Sequence, residues 1–234
     1  MKIAIVGTAP SSRHLAPFAN PEWECWLMGP AWADEGNPMT WDRWFELHPV
    51  AEFDPSVAKS DPGYLDWLTR QEKPVYMRPP LDPRIGAAQE IPWDRLHQRY
   101  GGYFLDSTVA WMMAFIHADF EQVDEVALYG IDFASQTERA QQKKGCFHFI
   151  YLLRERGVTV TVPDQSDMGL EPSPYPYSSR LAAKLMARRK EHEARMKKAT
   201  DILNTLQGQI PTHQADLIRM DAAIETIKWL EELA

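Results

Sequence analysis

The chain lacks most of the features that assign a protein quickly to a class. It has two cysteines in 234 residues, Cys25 and Cys146, far apart and outside any metal-ligand spacing. That excludes a disulfide scaffold and fits a reducing compartment, so a cytoplasmic location is expected. No apolar run approaches the roughly 20 residues of a membrane-spanning helix. The opening Lys2-Ile3-Ala4-Ile5-Val6-Gly7 is too short for a secretory signal and carries no cleavage site. Positive charge is in deficit as well. The formal net charge is −8, so the molecule as a whole has no nucleic-acid footprint. GxGxxG is missing, as are a phosphate-loop lysine and an Asp-x-Asp pair. The usual nucleotide signatures are therefore absent, and no obligatory metal is expected.

What is present is a normal apolar share, 44%, and nine tryptophans, several in polar company. The length suits one domain of ordinary size with an appendage. The densest information lies between Ser107 and Asp167. Ser107-Thr108-Val109-Ala110-Trp111-Met112-Met113-Ala114 reads as a helix. Glu125 to Tyr129 reads as an apolar strand that ends in Gly130-Ile131-Asp132-Phe133. A polar loop with Glu138 and Gln142 follows, then a helix from Phe147 to Arg156 and a strand from Val158 to Val162. That grammar predicts an α/β fold, a Rossmann-like and mainly parallel sheet flanked by helices. Ligands of such sheets bind beyond the carboxyl ends of the strands. Gly130 and Asp132 stand at one such end, and Gly7 and Thr8 stand at another, so one cleft built from both is expected.

Residues 2–6 read as a buried strand that feeds Gly7-Thr8-Ala9-Pro10-Ser11-Ser12, with a helix expected from Ser12. A strand, a Gly/Ser turn and a helix N-terminus make an anion site, because N–H groups and the helix dipole favour phosphate. The plainer reading is a strand-to-helix turn capped by Ser11 or Ser12. Glu24 to Met28 reads as a second strand. The loop after it offers Trp32 to stack on a base and Asn37 to read its edge. In Phe45-Glu46-Leu47-His48-Pro49 the alternation predicts a short strand with Glu46 and His48 on one face. A His beside a carboxylate is a candidate general base; equally, the His could cap a loop of a surface strand. Residues 61–70 and 93–100 read as short helices and 73–77 as a strand. Arg78 and Arg84 are candidates to meet phosphate. Ser107 and Thr108 are helix caps whose hydroxyls can also face a ligand.

Three segments follow from this reading: a nucleotide-binding domain over 1–168, a Pro-rich linker over 169–177 and a helical tail over 178–234. The tail opens with a basic run, Arg180 to Lys198. It is either a solvated helix face or a surface for a phosphate-bearing partner such as DNA. From Met196 a heptad can be counted. Met196, Leu203, Ile210, Leu217 and Ile224 share one position, and Ala199, Leu206, His213, Met220 and Ile227 share the other. Pro211 interrupts it, so two helices broken near 208–212 are expected, packed as a hairpin or used in a homo-oligomer.

With these residues in view a resemblance can be stated. The turn Ile5-Val6-Gly7-Thr8-Ala9-Pro10-Ser11, the Ser107-Thr108 helix and the strand ending Gly130-Ile131-Asp132-Phe133 resemble the bacterial sialyltransferase-type glycosyltransferases. They resemble equally the pterin-diphosphokinase-like proteins of the same Rossmann-like fold. The Gly130–Phe133 segment with Glu138, Gln142, Gly157, Pro163 and Ser166-Asp167 is similar to a group of phage-encoded proteins, and so is Phe45–Pro49. Some of that group are thought to glycosylate modified DNA pyrimidines. The resemblance covers about residues 1–168. Thr8 and Ala9 replace the Asn and second Gly of the sialyltransferase turn, a departure from a cytidine-monophosphate donor site. The family's histidine, between the Gly-Ile-Asp strand and the next helix, has no counterpart; His148 comes too late.

The resemblance implies a nucleotide-sugar-dependent glycosyltransferase, with a UDP-sugar as the expected donor and hydroxymethylated pyrimidines of phage DNA as one acceptor class. The location would then be a host cytoplasm. On this reading Gly7, Thr8, Ser11 and Ser12 hold the donor diphosphate, with Asn37, Ser107, Thr108, Gly130 and Gln142 around it. Asp132 and Glu138 hold sugar or ribose hydroxyls. His48 is the base, chosen on chemistry and oriented by Glu46. A divalent ion is left open. The rivals are an ATP-dependent diphosphotransferase on the same fold and a non-catalytic nucleotide-binding or assembly protein.

Overall fold

The computed structural model describes residues 1–29, 40–54, 62–133, 137–166, 168 and 179–232. Seven strands make its one sheet: β1 (Lys2–Val6), β2 (Trp23–Met28), β3 (Arg43–Glu46), β4 (Val75–Met77), β5 (Ala88–Glu90), β6 (Glu125–Tyr129) and β7 (Thr159–Thr161). All neighbours are parallel, in the order β5-β4-β3-β2-β1-β6-β7. The chain starts in β1, winds outward through β2 to β5, then returns to the other side of β1 as β6 and β7. The winding direction therefore reverses between β1 and β6, and a cleft opens there at the carboxyl ends of the strands.

The sequence of β1 explains its central place. Ile3, Ala4, Ile5 and Val6 are all fully buried, as a parallel strand covered on both faces requires. The pleat sends them to two cores. Ile3 and Ile5 join Trp26, Phe45 and the helices α4 (Thr108–Asp119) and α5 (Thr137–Glu155). Ala4 and Val6 join Trp44, Leu27, Tyr64 and Leu68, the last two from α2 (Pro62–Thr69). Short helices α1 (Val50–Phe53) and α3 (Trp93–Tyr100) complete this unit. Trp26, Trp44 and Phe45 are wholly buried. Truncating any of them to Ala would cost about 3–5 kcal/mol.

α4 has no polar stripe. Val109 through Ile116 are all buried, so it runs through the interior beneath the sheet. The Ser107 Oγ caps it by accepting from the Ala110 N–H. α5 begins at Thr137, ten residues before the expected Phe147. Glu138 and Gln142 therefore stand on a helix and not on a loop, and Gly145 marks its buried side. A Cβ at Gly145 would lie 2.2 Å from Asp106 Oδ1 and from the Phe104 carbonyl oxygen. β5 is a short edge strand that the sequence pattern does not reveal.

The chain divides into two compact units, Met1–Pro172 and Ser173–Ala234. The expected linker at 169–177 lies outside the described residues. The second unit holds α6 (Ser179–Glu232), a single helix of 54 residues with Pro211 inside it. No break occurs at 208–212, which corrects the expected hairpin. Proline removes one backbone donor, and its ring crowds one carbonyl of the previous turn. The remaining turns, rich in Ala, Leu, Lys and Gln, carry the helix past it. Among the described residues no helix is long and apolar enough to cross a membrane.

Candidate functional site

The β1–β6 turn is held from within. Gly7 N–H donates to the Tyr129 carbonyl at 2.8 Å and Ala9 N–H to the Gly130 carbonyl at 2.8 Å. Gly130 N–H donates to Ser12 Oγ at 2.9 Å. Gly130 has a φ of +63°, a left-handed conformation that glycine adopts without strain. The two glycines also touch: a Cβ at Gly7 would sit 2.5 Å from the Gly130 carbonyl oxygen, and a Cβ at Gly130 2.7 Å from that of Gly7. The expected helix from Ser12 is absent. Only one 3-10 turn, Arg13–Leu15, follows, without a side-chain cap. Ser12 is fully buried and its hydroxyl serves Gly130. The turn thus lacks the long helix whose dipole was expected to favour phosphate, and Ser12 is a structural residue.

Beside this turn lies a cavity of about 420 Å³. It opens over the ends of β1 and β6 and is closed by the end of β3 and the start of α4. Its walls bring together Gly7, Thr8, His48, Ser107, Thr108, Gly130, Asp132 and Gln142, all expected from the sequence. They add Asp106, Trp93 and Trp111, which sequence reasoning did not assign to a site. Among the described residues lining this cavity none is a lysine or arginine. Asn37 lies outside the described residues, and so does the side chain of Glu138.

The best-defined polar group in the wall is the pair Glu46–His48. Glu46 ends β3, a strand buried at the middle of the sheet and not a surface strand. Its side chain is 2% exposed, while that of His48 is 54% exposed. Glu46 Oε1 meets His48 Nδ1 at 2.6 Å and accepts the His48 N–H at 3.0 Å. Glu46 Oε2 accepts the Tyr64 hydroxyl at 2.6 Å, and the Tyr64 oxygen accepts Trp44 Nε1–H at 2.9 Å. Burial and the adjoining Glu46 charge push the Tyr64 phenol well above its ordinary pKa, so it stays a donor. These donors hold the carboxylate in place. A proton on Nδ1 facing Glu46 puts the ring lone pair on Nε2, and the carboxylate would stabilise the imidazolium formed when Nε2 takes a proton.

Asp132 is 4% exposed, and its Oδ2 accepts the Ser11 hydroxyl at 2.6 Å. Ser11 is therefore tied to a site carboxylate. Asp106 stands one residue before the Ser107 cap, with both carboxylate oxygens buried and no hydrogen bond of good geometry to either, the N–H groups of Asp106 and Gly145 and the Ser107 hydroxyl being the nearest donors. Burial raises its pKa from the ordinary carboxylate value, against the smaller opposing pull of neighbouring N–H groups, Lys144 and Ser107. The only sequence signal for it was its place just before a helix cap. Trp93 and Trp111 stack with ring centroids 3.8 Å apart, and the Arg78 guanidinium lies 5.6 Å from the Trp93 centroid. Arg84 is held by Asp54 and Asp82, each at 2.6 Å. It is part of the scaffold and does not line the cavity. His148 lies on α5, stacked on Phe104 at 3.9 Å.

Among the described residues no group of three His, Cys, Asp or Glu side chains could hold a metal ion. In comparisons with known proteins, no family model, no curated protein and no solved structure matches this chain.

Proposed function

We propose that the protein transfers a sugar from a nucleotide-sugar donor to an acceptor hydroxyl, with His48 as the base. The observation that carries this reading is the Glu46–His48 pair, fixed by a 2.6 Å contact in the wall of a cavity at the sheet's switch point. His48 Nε2 takes the proton of the acceptor hydroxyl as that oxygen attacks the anomeric carbon. The bond from that carbon to the donor phosphate breaks, and the nucleoside diphosphate leaves with the electron pair. Attack opposite the leaving group inverts the anomeric centre. Asp132 accepts hydrogen bonds from sugar hydroxyls, and the stacked Trp93 and Trp111 offer an apolar face to the ring.

Among the described residues of the cavity wall the leaving phosphate has no lysine or arginine to meet. The start of α4 supplies the alternative, since the first N–H groups of a helix lack intrahelical acceptors and carry partial positive charge. A UDP-sugar, alone or with a divalent ion, suits this wall better than ATP. A triphosphate would bring more negative charge against Asp106 and Asp132. This disfavours the diphosphotransferase. The acceptor offered is a hydroxymethylated pyrimidine of DNA, its neutral hydroxyl reaching the cavity; the helical tail by itself offers the basic run 180–198 to phosphates. Within that run Lys190, Lys197 and Lys198 are exposed, while Arg189 and Arg195 pair with Glu193 and Glu191 along the helix.

The test is release of UDP from a set of UDP-sugars in the presence of DNA bearing 5-hydroxymethyl pyrimidines. Turnover that falls at least about 100-fold in His48→Asn, with donor affinity kept, supports the reading. Equal turnover in His48→Asn would remove His48 as the base. No release from any donor would remove the transferase.

A further inference from the structure

Helix α6 is about 80 Å long at 1.5 Å per residue, and its apolar seam is left in water. Met196, Leu203, Leu206, Ile210, Leu217, Met220, Ile224 and Ile227 are each at least 50% exposed. These are the a and d positions of more than four consecutive heptads, a spacing that suits another helix wound along the same seam. Burying such side chains is worth about 1.5–3 kcal/mol each, and an isolated helix gains none of it. Pro211 falls at position b, off the seam, so its missing N–H faces away from any partner.

The charge pattern says which partner. From 179 to 200 the helix has eight Lys/Arg and two Asp/Glu; from 201 to 232 it has two Lys/Arg and six Asp/Glu. Two copies side by side in the same direction would set basic half on basic half. They would also place Asp216, at g, beside Asp221, at e, of the other copy. Reversed, in the register given next, Arg189, Lys190, Arg195, Lys197 and Lys198 of each copy lie along residues 225–234 of the other, which carry Glu225, Glu231 and Glu232 against one Lys228. The seam also matches itself in that direction. Leu206 meets Leu217, Leu203 meets Met220, Met196 meets Ile227, and the two weak positions, Ala199 and His213, face Ile224 and Ile210. We infer that α6 of two copies of this chain pairs antiparallel along the Met196–Ile227 seam, making the protein a homodimer.

The pairing is read by sedimentation of the full chain at micromolar concentration and by engineered disulfides. The native thiols, Cys25 and Cys146, are buried, so they do not compete. The full chain is expected to sediment as a dimer, and Leu203→Asp with Leu217→Asp to sediment as a monomer. The double variant Leu206→Cys with Leu217→Cys is expected to oxidise to a covalent dimer, while Leu206→Cys alone does not. In one helix these positions are 11 residues apart, roughly 16 Å, so an internal bridge cannot form. A monomeric full chain would overturn the proposal, as would a dimer that survives both aspartates. Ready self-linking of Leu206→Cys alone would show parallel pairing and overturn it equally.

Discussion

On one side of the cleft, Gly7 and Gly130 press two turns together, and Ser12 spends its hydroxyl on a backbone N–H. On the other, β3 and α4 bring His48, Ser107 and Asp106 to a cavity wall, with His48 held from behind by Glu46. Both sides carry the small and polar residues that suggest ligand binding in a sequence. The first uses them to join β1 to β6. The second presents them to the cavity. The difference lies in where each polar atom's partner is: Ser12 Oγ serves a backbone N–H inside the fold, whereas His48 is held at Nδ1 by Glu46 with its ring half exposed in the cavity wall.

The largest effect should come from breaking the first side. Gly7→Ala puts a methyl 2.5 Å from a backbone oxygen that cannot rotate away. A stability loss on the order of 3 kcal/mol is expected in a denaturant melt, with activity lost only because the unit unfolds. The second side should respond in the opposite manner. His48→Asn should cut turnover about 10²–10⁴-fold with little change in the melt, since its side chain is half exposed. Glu46→Gln should cut turnover by a similar order and also destabilise, because Gln has one acceptor oxygen where Glu46 uses two for three donors. If Gly7→Ala were stable and inactive, Gly7 would serve the ligand in the cavity it lines and not chiefly the joining of the strands.

Smaller effects sharpen the contrast. Ser12→Ala leaves the Gly130 N–H buried and unpaired, and should cost about 1–3 kcal/mol without changing donor affinity in the folded fraction. Two carboxylates should give pH dependences of opposite sign. Asp82 is held below its ordinary pKa chiefly by its hydrogen bonds to Arg84. Its stabilisation is present above its unfolded pKa, near 4, and is lost as pH falls through the folded value. Asp106 is raised by burial, so its ionised form costs stability at neutral pH. That cost disappears as pH falls through its folded pKa. Asp106→Asn should therefore be more stable than the parent at pH 7, with the gain shrinking in acid, as thermal melts across pH would show.

Much of the sheet was legible because β1, β2 and β6 are short apolar runs that end in glycine, and a glycine after a buried strand marks the end where ligands bind. The proximity of Gly7 to Gly130, and of Glu46 to His48, followed from that grammar and from period-two alternation. The role of the first turn did not. Whether Ser12 points at a ligand or at Gly130 depends on a contact 118 positions away in the sequence. Asp106 was missed for a similar reason: a carboxylate before a helix cap is unremarkable until α5 packs Gly145 against it. The start of α5 was read late because residues 137–146 are polar and lack an apolar period until Cys146 and Phe147. Pro211 does not end α6, since one lost hydrogen bond on an exposed face is outweighed by the turns on either side.

The central claim is that a nucleotide-sugar donor occupies the cavity between the β1 turn and His48. Thermal shift with millimolar UDP and UDP-sugars tests it directly, because a ligand that binds the native state raises the melting temperature by mass action. The account predicts a rise for the parent and for His48→Asn, and none for Thr8→Trp, whose indole would fill the cavity. No rise with any of these ligands would contradict it, and so would a rise that Thr8→Trp retains in full.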